Sequence, residues 1–278
     1  MRLLPDMEVY ILGSMEIFWF SGSGNSLALA RELAAKTGAK LTALAPLIKA
    51  EKISSPADAV GLVFPVYDFK APAFMEEFIS RFEGLENKYI FALCSYGISP
   101  SKCLLKLQEQ LATRGAKLDA GFAVMMPHNA VGNTSFSDRD RKITLSNASR
   151  RIEEIAWVIN TRRSSKIESE TWLYALLFRG LFFKVIKPVI PMLLYAVRPG
   201  WEALAFTAND RCTGCGTCVK VCPVKNITLD NEQPTWGPNC LSCFACLQWC
   251  PNEAIQLGTG EIRVEPYHHP DIKGSDLF

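Results

Sequence analysis

The sequence predicts an α/β fold, a doubly wound five-stranded parallel sheet, joined to a small α+β unit. Three observations carry this. Residues 15–130 alternate short apolar runs with amphipathic helical stretches, the pattern of successive βαβ units. A loop of hydroxyl-bearing residues and glycine separates the first apolar run from the first helical one. Eight of the ten cysteines fall in the later stretch 212–250, outside the alternating region.

The strand candidates are 16–20, 41–47, 59–64, 89–94 and 121–126. Each is short, apolar and bounded by Gly, Pro or Ser, as expected for strands covered on both faces. Helices are predicted over 25–37, 72–83 and 101–114, and a charged segment from Ser137 leads into a helix ending near Asn160. Residues 1–14 lack a long apolar core, because Pro5, Asp6 and Glu8 interrupt it, so no secretory signal is expected. The strong pattern starts at Met15. Residues 1–14 are then either an N-terminal extension ahead of a natural start at Met15 or an extra edge segment on the sheet. The expected divisions are 15–165 for the α/β domain, 166–205 for an apolar helical interdomain segment, 206–260 for the cysteine domain and 261–278 for a C-terminal tail.

Within the interdomain segment, residues 171–198 are unusually apolar and aromatic. Arg179, Lys184, Lys187, Pro188 and Pro191 break every stretch short of a membrane span. The expectation is helices packed between the domains. The alternative is peripheral membrane contact through 171–198. The net charge of +2, with 49% hydrophobic and 21% charged residues, describes an ordinary globular chain with no strong pull toward nucleic acid. Nucleic acid is excluded as a partner. A chain with this much core needs no disulfide staples, so a cytoplasmic location is expected.

The cysteines form two runs. The first holds Cys212, Cys215, Cys218 and Cys222, followed by Pro223; the second holds Cys240, Cys243, Cys246 and Cys250, followed by Pro251. Both read C-x2-C-x2-C-x3-C-P, offset by 28 residues. Thiolates are soft anionic ligands, and three at this spacing wrap one iron–sulfur cube in a tight loop. Gly214 and Gly216 let the backbone curl toward it. The fourth cysteine of each run reaches the other cluster. Two [4Fe–4S] clusters are therefore expected, one on Cys212, Cys215, Cys218 and Cys250, the other on Cys222, Cys240, Cys243 and Cys246. Structural zinc uses two separated CxxC pairs and not this doubled pattern.

The loop after the first strand reads Ser21, Gly22, Ser23, Gly24, Asn25, Ser26 and opens a helix. Free N–H groups and the helix dipole there favour a phosphate, with Ser21, Ser23, Asn25 and Ser26 as added side-chain donors. Leu27 stands where a dinucleotide fingerprint needs its third glycine, and the lysine of a Walker A loop is missing. The plainer alternative is a serine-rich βα turn capped by Ser23 or Asn25. Ligands of open α/β sheets sit outside the carboxyl ends of the strands. That adds Pro65, Val66, Tyr67, Asp68 and Phe69 after the third strand, and Cys94, Ser95, Tyr96 and Gly97 after the fourth, as candidates around a planar ring. The aromatics serve equally as packing residues, and Cys94 reads first as a packed thiol. His268 and His269 read as solvated residues of the tail.

Residues 21–26 resemble the phosphate loop of flavodoxins, and the cysteine runs resemble a bacterial two-cluster ferredoxin. In order and spacing, most of 15–258 is similar to the flavodoxin–ferredoxin fusion proteins, including the Met126, Pro127, His128, Asn129 stretch and the ending Cys246-Leu-Gln-Trp-Cys250-Pro251. The resemblance implies a flavodoxin-like sheet and FMN, with its phosphate on 21–26 and its ring between 65–69 and 94–97. Ser23 replaces a common threonine, and His128 and Ala130 stand where acidic and aromatic residues are expected. The implied function is electron transfer between the clusters and FMN. The partner would be a redox protein or a small-molecule electron acceptor, neither identified by sequence. The rivals are a flavin-dependent reductase of an organic substrate such as a quinone, and a membrane-peripheral subunit of a larger redox complex. No acid–base pair or nucleophile stands out, so no catalytic residue is assigned.

Overall fold

Period-two alternation in the strands sends successive side chains to opposite faces of a sheet, and both faces here are apolar. In the computed structural model, which describes residues 13–67, 69–128, 137–170, 206–258 and 265–277, this yields a parallel sheet of five strands. The strands are β1 (Met15–Trp19), β2 (Lys40–Ala43), β3 (Ala59–Pro65), β4 (Tyr89–Tyr96) and β5 (Ala120–Met125), in the order β2-β1-β3-β4-β5. That is the flavodoxin-like doubly wound order, in which the chain reverses direction between β1 and β3 and leaves a crevice at their carboxyl ends.

The helices are α1 (Asn25–Thr37), α2 (Phe74–Arg81), α3 (Cys103–Thr113) and α4 (Asp138–Asn160). Ile17 and Trp19 of β1 point to one face, where Leu27 and Leu33 of α1 and Ile152 and Ile155 of α4 cover them. Phe18 and Phe20 point to the other, against Phe74 and Phe78 of α2 and Leu104 and Leu107 of α3. Ser137 starts α4 by accepting the Asp140 N–H, which satisfies one orphan donor of the first turn. Gly61 is required on the first face, since a Cβ there would lie 2.2 Å from the Phe91 ring. Glu16, only 5% exposed, is the polar exception in β1. Burial raises its pKa, but hydrogen bonds from Ser55, Thr42 and Lys40 outweigh that and hold it below the ordinary value.

Several strand boundaries differ from the expected ones, that of β2 for a local reason. The predicted 41–47 strand stops at Ala43 and continues as a 3₁₀ turn, Ala45–Leu47, because Pro46 fixes φ and removes a ladder donor. The third strand runs one residue further than expected and the fourth two, so β3 ends at Pro65 and β4 at Tyr96.

The small domain pairs β6 (Phe206–Ala208) with β9 (Ile255–Leu257) and β7 (Ile227–Asp230) with β8 (Gln233–Trp236), all antiparallel. Two short helices, α5 (Thr217–Val221) and α6 (Ala245–Gln248), follow the cysteine loops. Val221, Ala245 and Trp249 of this domain, with Ile272 and Leu277 of the C-terminal segment, join the same apolar cluster as Ile17 and Leu27. The two domains thus share a core. The expected solvated tail is corrected in part: His269 is buried, at 7% exposure, whereas His268 stays exposed while its ring stacks on Trp249. The apolar segment 171–198, the extension 1–12, Asp68, Asn129 and Ala130 lie outside the described residues. Among those described, no helix is long and apolar enough to cross a membrane.

Candidate functional site

The loop after β1 is built from its own polar groups. Gly24 takes φ +91°, a conformation suited to glycine, and its N–H donates to Ser21 Oγ at 3.0 Å. Gly24 also precedes α1 without a side chain to cap it, which leaves the first-turn N–H groups for a ligand. Ser26 Oγ pairs with Ser95 Oγ at 2.8 Å, tying the loop to β4. Asn25 differs from the expected donor. Its Nδ2 donates to the Pro127 carbonyl at 3.1 Å and its Oδ1 accepts from the Tyr267 hydroxyl at 3.0 Å, so both ends of the amide are engaged within the chain.

Beside this loop lies a cavity of about 400 Å³ at the switch point. Ser21, Gly22, Ser23, Asn25 and Ser26 form one end, and Pro65, Val66, Tyr67 and Phe69, then Ser95, Tyr96 and Gly97, line its sides. Gly24 is turned away toward Ile272 and His269. Cys94 is also set back: alternation on β4 sends it to the α3 face, fully buried beside Cys103. Its hydrogen bond with Cys103, and then burial, push its pKa far up, the state of an inert packed thiol. Tyr67 stays neutral as well, because burial raises its pKa beyond what the Gly22 N–H bond lowers it.

The sequence leaves seven wall residues without an assigned role: Ile98, Ser99, Met126, Pro127, His128, and the Ser242 and Phe244 that flank Cys243. The last two carry a signal that comparing the cysteine runs reveals. Ser242 and Phe244 occupy the places that Gly214 and Gly216 hold in the first run, and all four have positive φ, at 51°, 60°, 66° and 72°. For the two non-glycine residues this conformation costs on the order of 1–2 kcal/mol each. Phe69, at φ 63° and 46% exposed, stands with Ile98 at the cavity mouth.

Cys212, Cys215, Cys218 and Cys250 surround one gap, and Cys222, Cys240, Cys243 and Cys246 surround a second. Related turns after each run aim N–H groups at sulfur, Asn226 at Cys222 Sγ (3.2 Å) and Ala254 at Cys250 Sγ (3.3 Å). Such bonds stabilise thiolate charge. Burial pushes the Cys218 thiol up to about 11 and the Cys243 thiol up to about 12, so a cluster bound there would have to displace protons. The second group touches the cavity through Cys243, whose carbonyl lies so near Gly22 that a Cβ there would be 2.4 Å from it.

Residues 211–255 match the 4Fe-4S dicluster domain family. No curated protein matches the chain. Among solved structures, the N-terminal half is similar to an FMN-dependent NADH-azoreductase from Bacillus anthracis, at 10% identity over 53% of this chain and 99% of that one, TM-score 0.38. It is also similar to a WrbA-like flavodoxin from Agrobacterium tumefaciens, at 17% identity over 52% and 98%, TM-score 0.35. A flavodoxin from Megasphaera elsdenii gives 18% identity over 51% and 97%, TM-score 0.33. The strand order, and not these likenesses, defines the flavodoxin-like fold. In architecture the chain joins a flavodoxin-like domain to a ferredoxin-type iron–sulfur domain on one polypeptide.

Proposed function

We propose that this chain transfers electrons between two [4Fe–4S] clusters, held by the crossed cysteine groups, and FMN in the switch-point cavity. One observation carries the reading: the cavity that ends at residues 21–26 has Cys243, a member of the second cysteine group, in its wall. The residues present fit the cofactors. Eight thiols stand in two fours, and the loop offers unpaired helix-start N–H groups beside a cavity flanked by Tyr67 and Tyr96. FMN, when bound, supplies the conversion between two-electron and one-electron chemistry, while each cluster carries one electron.

The chain's own residues then have separate tasks. Loop amides hold the phosphate, Tyr67 and Tyr96 flank the ring, and Cys243 brings the second cluster to the cavity wall. The external partner is a redox protein or a small-molecule electron acceptor meeting the chain in the cytoplasm. A second reading, reduction of an apolar organic substrate, is favoured by exposed Phe69 and Ile98 at the mouth.

Anaerobic purification with iron, sulfide and flavin counts tests the proposal. About eight iron atoms per chain, with stoichiometric FMN and no zinc, are expected. Tightly bound zinc without broad visible absorption, or a preference for NAD or ATP over FMN, contradicts it.

A further inference from the structure

We infer that the iron–sulfur domain and the C-terminal segment aim the phosphate loop, with Trp249, Tyr267 and His269 as positioning residues of the flavin-phosphate site. This rests on the FMN reading and extends it, because all three residues lie more than 200 positions from the loop they hold.

The argument starts with peptide geometry. In a trans peptide the C=O and the following N–H point to opposite sides, and among the described residues no peptide is cis. Trp249 Nε1 donates to the Gly22 carbonyl at 2.8 Å, so the Ser23 N–H is directed away from the iron–sulfur domain. The His269 N–H donates to the Ser23 carbonyl at 2.9 Å, which turns the Gly24 N–H the other way, where Ser21 Oγ accepts it at 3.0 Å. Tyr267 then fixes Asn25 through its hydroxyl, and Asn25 passes the grip to Pro127 beyond β5. Three of the four consecutive residues 22–25 are thereby held from outside their own domain.

The holders are themselves braced. Trp249 stacks on His268, with ring centroids 4.3 Å apart and planes 15° from parallel. The Tyr267 N–H donates to Gln248 Oε1 at 2.5 Å. Arg31 of α1 pairs with Asp276 at 3.0 Å, which anchors the end of the segment. Ile272 and His269 press against Gly24 so closely that a Cβ there would stand 3.0 Å from Ile272 Cβ and 3.2 Å from His269 Cβ. Because binding free energies are reciprocal, a phosphate on the loop must also strengthen the docking of the iron–sulfur domain.

The test compares FMN with riboflavin, which lacks the phosphate, in the full chain with its clusters intact. Tyr267→Phe removes one hydroxyl far in sequence from the cysteines. Trp249→Phe keeps an aromatic ring but loses the N–H, and its iron content is measured alongside. Each variant should bind FMN about tenfold more weakly, the size expected for one buried hydrogen bond, with riboflavin affinity unchanged. A residue that only stabilised the fold would shift both ligands equally. Unchanged FMN affinity in both variants, or equal loss of FMN and riboflavin, overturns the inference. A wild-type chain that prefers riboflavin instead sinks the phosphate-site reading, and this inference with it.

Discussion

Replacing Cys222 with alanine should strip about half of the iron, roughly four of eight atoms, and expose the cysteines of the other run. Although Cys222 belongs to the first run, it stands with Cys240, Cys243 and Cys246 around one gap. The remaining first-run thiols face Cys250 across the other. In Cys222→Ala, alkylation of the anaerobic protein followed by mass mapping should label Cys240, Cys243 and Cys246 and spare Cys212, Cys215, Cys218 and Cys250. Cys250→Ala should give the converse pattern. Labelling of Cys212, Cys215 and Cys218 in the Cys222 variant, with Cys240, Cys243 and Cys246 spared, would mean that each run closes on its own cluster.

The second large effect is expected at Gly22, where the loop, the cavity and the second cysteine group meet. A Cβ on Gly22 would lie 2.4 Å from the Cys243 carbonyl oxygen and 2.6 Å from the Tyr67 hydroxyl. The first obstacle is backbone, which cannot swing aside as a side chain can. Gly22→Ala must therefore push the loop off the iron–sulfur domain, at a cost of about 1–3 kcal/mol for overpacking. Thermal unfolding should register that loss, and FMN affinity should fall by tenfold or more while iron content stays near wild type. Adding Tyr67→Phe removes one obstacle and leaves the Cys243 carbonyl, so the double variant recovers part of the loss at most. Full recovery would show that Tyr67 alone crowds the site.

Much of this was legible in the sequence, wherever the signal is local. Residues 16–20 and the Ser–Gly loop after them need no distant information, and the doubled cysteine spacing states its own chemistry. The shortened β2 was legible too, had Pro46 been weighted above the apolar run around it. Contacts between domains were not. Asn25 reads as a free donor because its neighbours give no hint that Pro127 and Tyr267 occupy both ends of its amide. His269 reads as solvated because the tail is polar, whereas docking of Ile272 and Leu277 carries it inward. Ser242 and Phe244 were half legible. They replace glycines at positions of positive φ, and a backbone held in an unfavourable conformation points to a local role, here as the wall of the cavity.

The most direct measurement is the kinetics of electron passage within one molecule. Cys243 of the second cysteine group lies in the cavity wall and Trp249 of the same domain holds Gly22, so on the proposed reading clusters and flavin should travel as one unit. The clusters are reduced rapidly under anaerobic conditions in a stopped-flow instrument, and flavin absorbance is followed over a wide range of protein concentration. A first-order rate that does not change with concentration is expected. A rate that rises in proportion to concentration would show that electrons reach the flavin only between molecules, and the docked arrangement of the two domains would not be the one that transfers them.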